Sequence, residues 1–415
     1  MVTYQSQSNG YYAYKFQTAL GAQATGTGAK IFRTTGSGNA GAMTKAVTAS
    51  NEVRRDGQRS RGRHGSQKTS GTAGGELALG AYDDILEAIM RGTYSAADLT
   101  VTEATAGLTS ITTTANTIVA AAGSWITAGF KVHDVWRLTN HATAGNNGKN
   151  LRIVDVTPST LTVAETLVAN ATPDTAFTLT RPGRVLINPA AGALVDRYAT
   201  WEEHEIDIDG SELFTDAVFG SGRIAMTPNG IITFEAGWTG TGRFETKTGA
   251  AAPFFPAPTE NTATPMAVVD ATLRLGSTDL VELTSFDLSW NIGPTAPDTF
   301  GSGAQKYSPD VFRGNMAVEM NLAMLRKDLA YVQSFANEEV LSLHVLAVDN
   351  EAEPKDFIAF SVPNFTLAGV DKSALNKEGG ARTQTIRVPA DLVGKDTRGS
   401  AYDPTMLKIQ VSNAS

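Results

Sequence analysis

The chain contains no cysteine, which excludes disulfides and every zinc or iron–sulfur site built on thiolates. Histidine is scarce and scattered, at positions 64, 133, 141, 204 and 344. No Gly-x-Ser-x-Gly elbow is present, so a nucleophilic triad has no support. The stretches ATGTGAKIF and GWTGTGRF hold Gly-x-Gly but lack a Gly-Lys-Ser/Thr ending and a following helix, and they read as turns rather than phosphate loops. No catalytic residue, cofactor or metal is expected. The most apolar run, Ile118–Phe130, is mostly Ala and Gly, too short to span a bilayer. The first residues show neither the basic nor the apolar region of an export signal. Synthesis in the cytoplasm and no membrane partner are the expectations. Charged residues are few, 18%, and the net charge of −8 argues against general binding to a polyphosphate.

Gly, Ala, Thr and Ser fill the sequence instead, a texture of short strands and turns. Residues 1–40 read as a Gly/Thr-rich arm with a strand near Ala29–Thr35. Strands follow at Thr44–Ser50 and Gly75–Gly80. In AYDDILEAIMRG, Tyr82, Ile85, Leu86, Ile89 and Met90 share one helical face, with acids in the first turn and Gly92 placed to stop it. Residues 96–183 are poor in charge and punctuated by turns, predicting an inserted small all-β domain of five or six strands. The Pro-rich stretch 250–265 is a candidate linker. Beyond it, Phe286, Leu288, Trp290 and Ile292 alternate, and Leu325, Leu329 and Val332 suggest a helix over Leu325–Phe335.

With 96–183 lifted out, the two halves run in the same order: strand, long loop, strand, helix, then an acidic turn (Asp209-Gly210, Asp349-Asn350) and further strands. The expected organisation is a mainly β chain of two tandem β-sandwich or barrel copies, each with one flanking helix. The first copy takes 1–95 and 184–249, the second 266–415.

Two charged segments stand out. NEVRRDGQRSRGRHG carries Arg54, Arg55, Arg59, Arg61 and Arg63. Residues 51–68 hold six bases and two acids, +4, which leaves −12 for the remainder. A nucleic-acid grip would interleave aromatics or further basic patches, and the neighbours are Gly, Ser and Gln. A docking loop that meets an acidic surface on another subunit is the favoured reading, and a solvated hairpin tip is the alternative. The second segment, Trp201–Asp216, offers Glu202, Glu203, Glu205, Asp207 and Asp209 as acidic contact or lumen candidates. Glu205, Asp207, Asp209, Gly210 and Asp216 also fit a calcium-loop register. Ile206 and Ile208 alternate with the acids, however, and favour a strand with an acidic outer face.

The order of Gly/Thr-rich arm, strand, TASNEVRRDGQRSRGRHGSQK, GELALGAYDDILEAIMRG and FGSGRIAMTPNGIITFEAG resembles the tail tube proteins of long-tailed, non-contractile bacteriophages. The resemblance covers nearly the whole chain. It implies a non-enzymatic virion protein whose rings stack into a hollow tube for DNA ejection, with Arg54–Arg63 as the inter-ring loop and 96–183 displayed outside. The implied partners are further copies of the chain, a tape measure protein, and tail terminator and distal tail proteins, with DNA passing unbound. Two copies per chain favour a trimeric ring of sixfold shape over a hexameric one. A β-sandwich adhesin-type binding module is the competing class.

Overall fold

The computed structural model describes residues 4–96, 98–299, 306–349, 354–377 and 379–412. The first half opens with β1 (Gly10–Phe16), β2 (Lys30–Phe32), β3 (Ala42–Thr48) and β4 (Arg63–Glu76), then α1 (Asp83–Met90). The predicted apolar face of α1 is real: Tyr82, Ile85, Leu86, Ile89 and Met90 are all buried. Its end comes one residue before the predicted glycine. Arg91 turns left-handed, φ 52°, and the Gly92 N–H returns to the Glu87 carbonyl, which satisfies carbonyls the helix cannot.

Eight short strands follow, β5 (Leu99–Thr102) through β12 (Thr178–Arg181), forming one separate sheet where five or six strands were expected. They enclose their own core, in which Phe130 stacks on Trp136 at 3.8 Å and Trp125 meets Phe130 edge-on. The two ends of this module are adjacent: Leu99 pairs with Arg181, and the Gly183 N–H donates to Asp98.

The remaining elements are β13 (Arg184–Ile187), β14 (Ala199–Glu205), β15 (Gly210–Met226), β16 (Thr233–Gly240), β17 (Arg243–Thr248), β18 (Thr272–Leu275), β19 (Thr278–Leu280), β20 (Leu283–Asn291), β21 (Ala317–Leu325), α2 (Ala330–Ala336), β22 (Leu341–Val348), β23 (Phe357–Phe365), β24 (Gly369–Lys372), β25 (Thr383–Val388) and β26 (Lys408–Val411). The 17-residue β15 belongs to two layers. Residues 210–217 pair with β14 and β17, and residues 218–226 with β16 and β20. The second stretch completes a continuous antiparallel sheet of eight strands, β3-β4-β16-β15-β20-β21-β25-β24. Outer layers cover it on one side. In the first half the order is β2-β1-β14-β15-β17, and in the second β19-β18-β22-β23-β26 with β13 at the edge.

One apolar core runs between these layers through both halves. Tyr82 meets Phe234 at 4.6 Å, Phe234 meets Trp290 at 6.3 Å, and Trp290 meets Phe360 at 6.0 Å. Two tryptophans lie flat across glycines on the neighbouring strand. A Cβ on Gly71 would sit 2.7 Å from Trp238, and one on Gly222 would sit 2.5 Å from Trp290. The glycines inside these strands are therefore required by close approach, not by turns.

Several expectations need correction. Leu325 ends β21, paired with Thr383, and the second helix begins only at Ala330 with no buried residue. The period-two set Val318, Met320, Leu322 and Met324 prevails over the helical spacing because strands pair with β21 on both sides. The 250–265 stretch, expected as a fairly stiff linker between the halves, is also held down along its length, as a strap. Phe255 is buried against Ala13, Ala24 and Ala29, Thr259 exchanges hydrogen bonds with Ala29 and Ile31, and Pro265 bridges Ala78. Residues 184–187, assigned to the first half from sequence, instead pair with β26. Of the second acidic turn, Asn350 lies outside the described residues.

The β5–β12 module is seated on the second half. Lys408 is buried, with Nζ 2.6 Å from Asp134 and 2.5 Å from Asp403. The Gln410 amide bonds both the N–H and the C=O of Val135. Arg152 donates to both oxygens of Asp279. His133 and His344 stack in the same seam, 6.1 Å apart. Burial, with Lys408 close by, drives the His133 imidazole down to about 3 and His344 well below its ordinary value. A base depressed in the folded state contributes stability that is complete above about 6.5 and is lost as the pH falls. Replacing 99–181 with a short Gly/Ser bridge is expected to leave a single cooperative unfolding transition, lowered because Leu346, Phe357 and Ala359 lose Val135. The melting temperature of the excised chain should also fall less between pH 6.5 and 4 than that of the whole chain, measured by calorimetry across that range.

Candidate assembly surfaces

The arginine segment forms the end of a hairpin that leaves the body of the molecule. Before Thr69, β4 has no β16 partner; β3 continues beside it, from Thr44 opposite Lys68 to Thr48 opposite Arg63, and the base of this stretch is held by Asp298 and the Lys306 carbonyl, which take hydrogen bonds from Ser66 and the Gln67 N–H. Residues 44–59 are all exposed. At about 3.3 Å per residue, the paired stretch alone carries the tip roughly 16 Å outward. The connecting loop is 49–62, and Arg63 and His64 belong to β4 instead of the loop. Arg54 pairs with Asp56 at 2.9 Å, and the Ser60 hydroxyl donates to Glu52. Among the described residues, Arg55, Arg59, Arg61 and Arg63 form no ion pair. A two-stranded ribbon is marginal by itself in water, and this one spends none of its arginines on its own body.

The acidic candidates do not form one surface. Glu202 is fully buried: its carboxylate accepts from the Phe254 and Phe255 N–H groups, at 2.6 and 2.9 Å, and from the Ser211 hydroxyl at 2.6 Å. It pins the strap, and as a contact or lumen residue it is withdrawn. Asp207 accepts from the Ser6 N–H and the Asn9 amide. The predicted strand through Ile206 and Ile208 is a single 3₁₀ turn closed by a left-handed Asp209, φ 47°. The short polar side chain of Asp209 tolerates that conformation, so the alternation was a corner in disguise. Asp216, the last position of the calcium register, is buried in β15 and accepts from the Gly21 N–H and the Thr241 hydroxyl. The carboxylates therefore do not converge. Glu203 faces Glu212 across β14 and β15. Burial, then the charges of Glu212 and Glu205, lift the Glu203 carboxyl to about 7.

A third surface was missed. The eight-stranded sheet buries Phe286, Leu288 and Trp290 of β20 on one face and turns Ser285, Asp287, Ser289 and Asn291 to the other. Its neighbours follow suit, with Thr72, Gly74 and Glu76 on β4, Thr233, Glu235 and Gly237 on β16, Ser221 and Arg223 on β15, Glu319 and Asn321 on β21, and Thr385 and Arg387 on β25. Arg223 pairs with Asp287, and Arg387 with Asp371, leaving Glu76, Glu235 and Glu319 as the acidic surplus. The signal was available: each apolar alternation implies a complementary polar face. What the sequence could not show is that six such faces join.

Strand direction orders these surfaces. β4 is antiparallel to β16 and β16 to β15, so β4 and β15 run in parallel. The arm leaves the N-terminal end of β4, and the 205–210 corner lies at the N-terminal end of β15. Head-to-tail stacking would need the arm to meet the opposite end, which separates the arm from Glu203–Asp209 as partners. The second long loop, in its described residues, lies against the first half and the base of the arm. Its Ser308 N–H donates to the Thr241 carbonyl, Tyr198 donates to Asp310, and Val311 is buried.

Glu202→Ala leaves two buried N–H groups without acceptors and is expected to cost about 3 kcal/mol in denaturant unfolding. Glu203→Gln acts in the opposite sense. A carboxyl raised in the folded state contributes stability that is present below about 4.5 and lost as the pH rises through about 7. The variant should match the parent at pH 4 and exceed its melting temperature at pH 8.

No helix among the described residues is long and apolar enough to cross a membrane. A family model described as phage tail tube protein matches residues 7–390. No curated protein matches the chain.

Proposed function

From the premise that this chain belongs to the phage tail tube protein family, we propose that it closes into rings of three chains that stack into the conduit for DNA. A structural role in the tail, with self-assembly, is what the family implies. The observation that carries the finer reading is the eight-stranded sheet with both edges open. Each half of that sheet holds four strands, β3-β4-β16-β15 and β20-β21-β25-β24, and each outer layer repeats one pairing order. We infer two copies of one fold, joined within the chain where β15 meets β20.

The same joint, repeated between chains, would set β24 of one copy beside β3 of the next. Strand directions allow it: eight alternating antiparallel strands leave β3 and β24 opposed, so the pattern continues unbroken across the seam. Closure removes edges that would otherwise recruit strands indiscriminately. Six four-stranded units then surround one channel. The polar face, rich in Ser, Thr, Gly and Asn with acids in surplus, supports its assignment to the lumen, since surface of the same sign as phosphate gives DNA nothing to grip. The β5–β12 module, attached to the outer layer of the second half, is read as outside the tube. The arm is the stacking element. A tape measure protein within and terminator and distal tail proteins at the ends are the partners such a tube needs. The chain is read as non-enzymatic, made in the host cytoplasm and carried in the virion.

The absence of native cysteine allows a direct test of the ring. Ser37→Cys, bridged to Gly74 in the chain leading into β3, with Asp371→Cys on β24 places one thiol on each edge, on the polar face, and oxidation should yield covalent trimers. Three chains of 43.7 kDa give about 130 kDa by native mass measurement, whereas about 260 kDa would mean six chains and a misread repeat. Reversing Arg54, Arg55, Arg59, Arg61 and Arg63 to Glu should leave circular dichroism and melting unchanged while abolishing stacking in electron micrographs. Added salt should weaken stacking of the parent chain, because exposed pairs are screened. Normal tubes from the reversed loop would reduce it to a solvated tip.

A further inference from the structure

At the C-terminal end of β15, away from the arm, an apolar groove of about 580 Å³ opens between the β15–β16 turn and the start of the second half. Met226, Leu273 and Phe286 form its buried floor. Val269 and Val281 stand on its rim, 80% and 83% exposed. Two valines so exposed beside an open apolar floor leave in water the surface that burial would favour removing.

We propose that this groove receives the arm of a second copy of the chain, in the adjoining ring. The inference rests on the stacking reading above and names the surface that stacking uses. Three observations point to this occupant. Groove and arm lie at opposite ends of parallel strands, as a repeating head-to-tail contact requires. Each occurs once per chain: the arginine-rich arm is a single segment of the sequence, and the groove lies at the single β15–β20 junction. The chemistry also matches. The arm presents Val47 and Val53, 73% and 96% exposed, among its arginines. The groove lining contains one carboxylate, Asp279, and no base; Asp270 and Glu282 neighbour the rim valines in sequence. Asp279 already holds Arg152 and Arg274, and Glu282 holds Lys327. Asp270, next to Val269 in sequence, forms no ion pair among the described residues, so the valines anchor the contact and the charges orient it.

The test uses the full-length chain. V269D/V281D changes only exposed side chains and should keep the parent's melting curve and its rings, with loss of stacked tubes in electron micrographs. The pair V53C/V281C should form disulfide-linked ladders of chains on mild oxidation of assembled tubes, and neither single variant should do so. Tubes of normal length from V269D/V281D, or no ladder from stacked V53C/V281C tubes, would overturn the groove while leaving the ring reading in place. Failure of the unaltered chain to form any ring would remove both together. A V269D/V281D chain that loses rings as well as stacks would also count against the groove, since it assigns these valines to stacking alone.

Discussion

The molecule is organised by the need to satisfy strand edges. A backbone edge left open in water invites pairing with whatever strand is near, and a buried one is costly. β15 answers this for most of the chain, because its 17 residues are long enough to serve two layers. Four strands pair along it, two in each layer. The outer layer of the first half, the shared eight-stranded sheet and the join between halves all depend on that single strand. The edges it leaves open, on β3 and β24, are then specific features rather than oversights.

The side-chain core follows the same plan. Trp238 and Trp290 each cross to a neighbouring strand and rest on a glycine, Gly71 and Gly222. One pair lies inside the first half and the other spans the join. The join is therefore packed like the interior of a domain, with a close-fitting aromatic and no polar seam, and the core runs through it without a break. The module at β5–β12 contrasts with this. Its seam with the second half is fastened by buried charge, Lys408 between Asp134 and Asp403, and by the amide of Gln410. Such contacts fix orientation more than they add stability.

Much of this organisation was legible in the sequence where the cause is local. The apolar face of α1, the alternation in β20 and the low-charge strands of the module are all set by neighbours within a few residues. What failed was long-range. β4 reads as a Gly/Ser/Thr-rich loop because Trp238, the tryptophan that requires its Gly71, comes from β16. Glu202 reads as an exposed acid, and it is buried only because Phe254 and Phe255 return to it some fifty residues later. Leu325 fitted a helix until its strand partners were known. The arginines were found because charge on a ribbon tip is a local property. The polar sheet face was missed because it is assembled from six strands far apart in the chain.

The strap from Gly249 to Asp270 has one more consequence. It is held along its length by Glu202, by Ala29 and Ile31, and by Leu77 and Ala78, so it keeps the second half in contact with the first from the moment both have folded. In a ring of three such chains, the three β15–β20 joints form at an effective concentration set by the tether, in the millimolar range for a short one. They are indifferent to how many chains the cell has made. Only the other three joints require an encounter between molecules. Ring closure would then be a third-order rather than a sixth-order problem in free protein, and the threshold at which rings first close would be set by the β3–β24 seam.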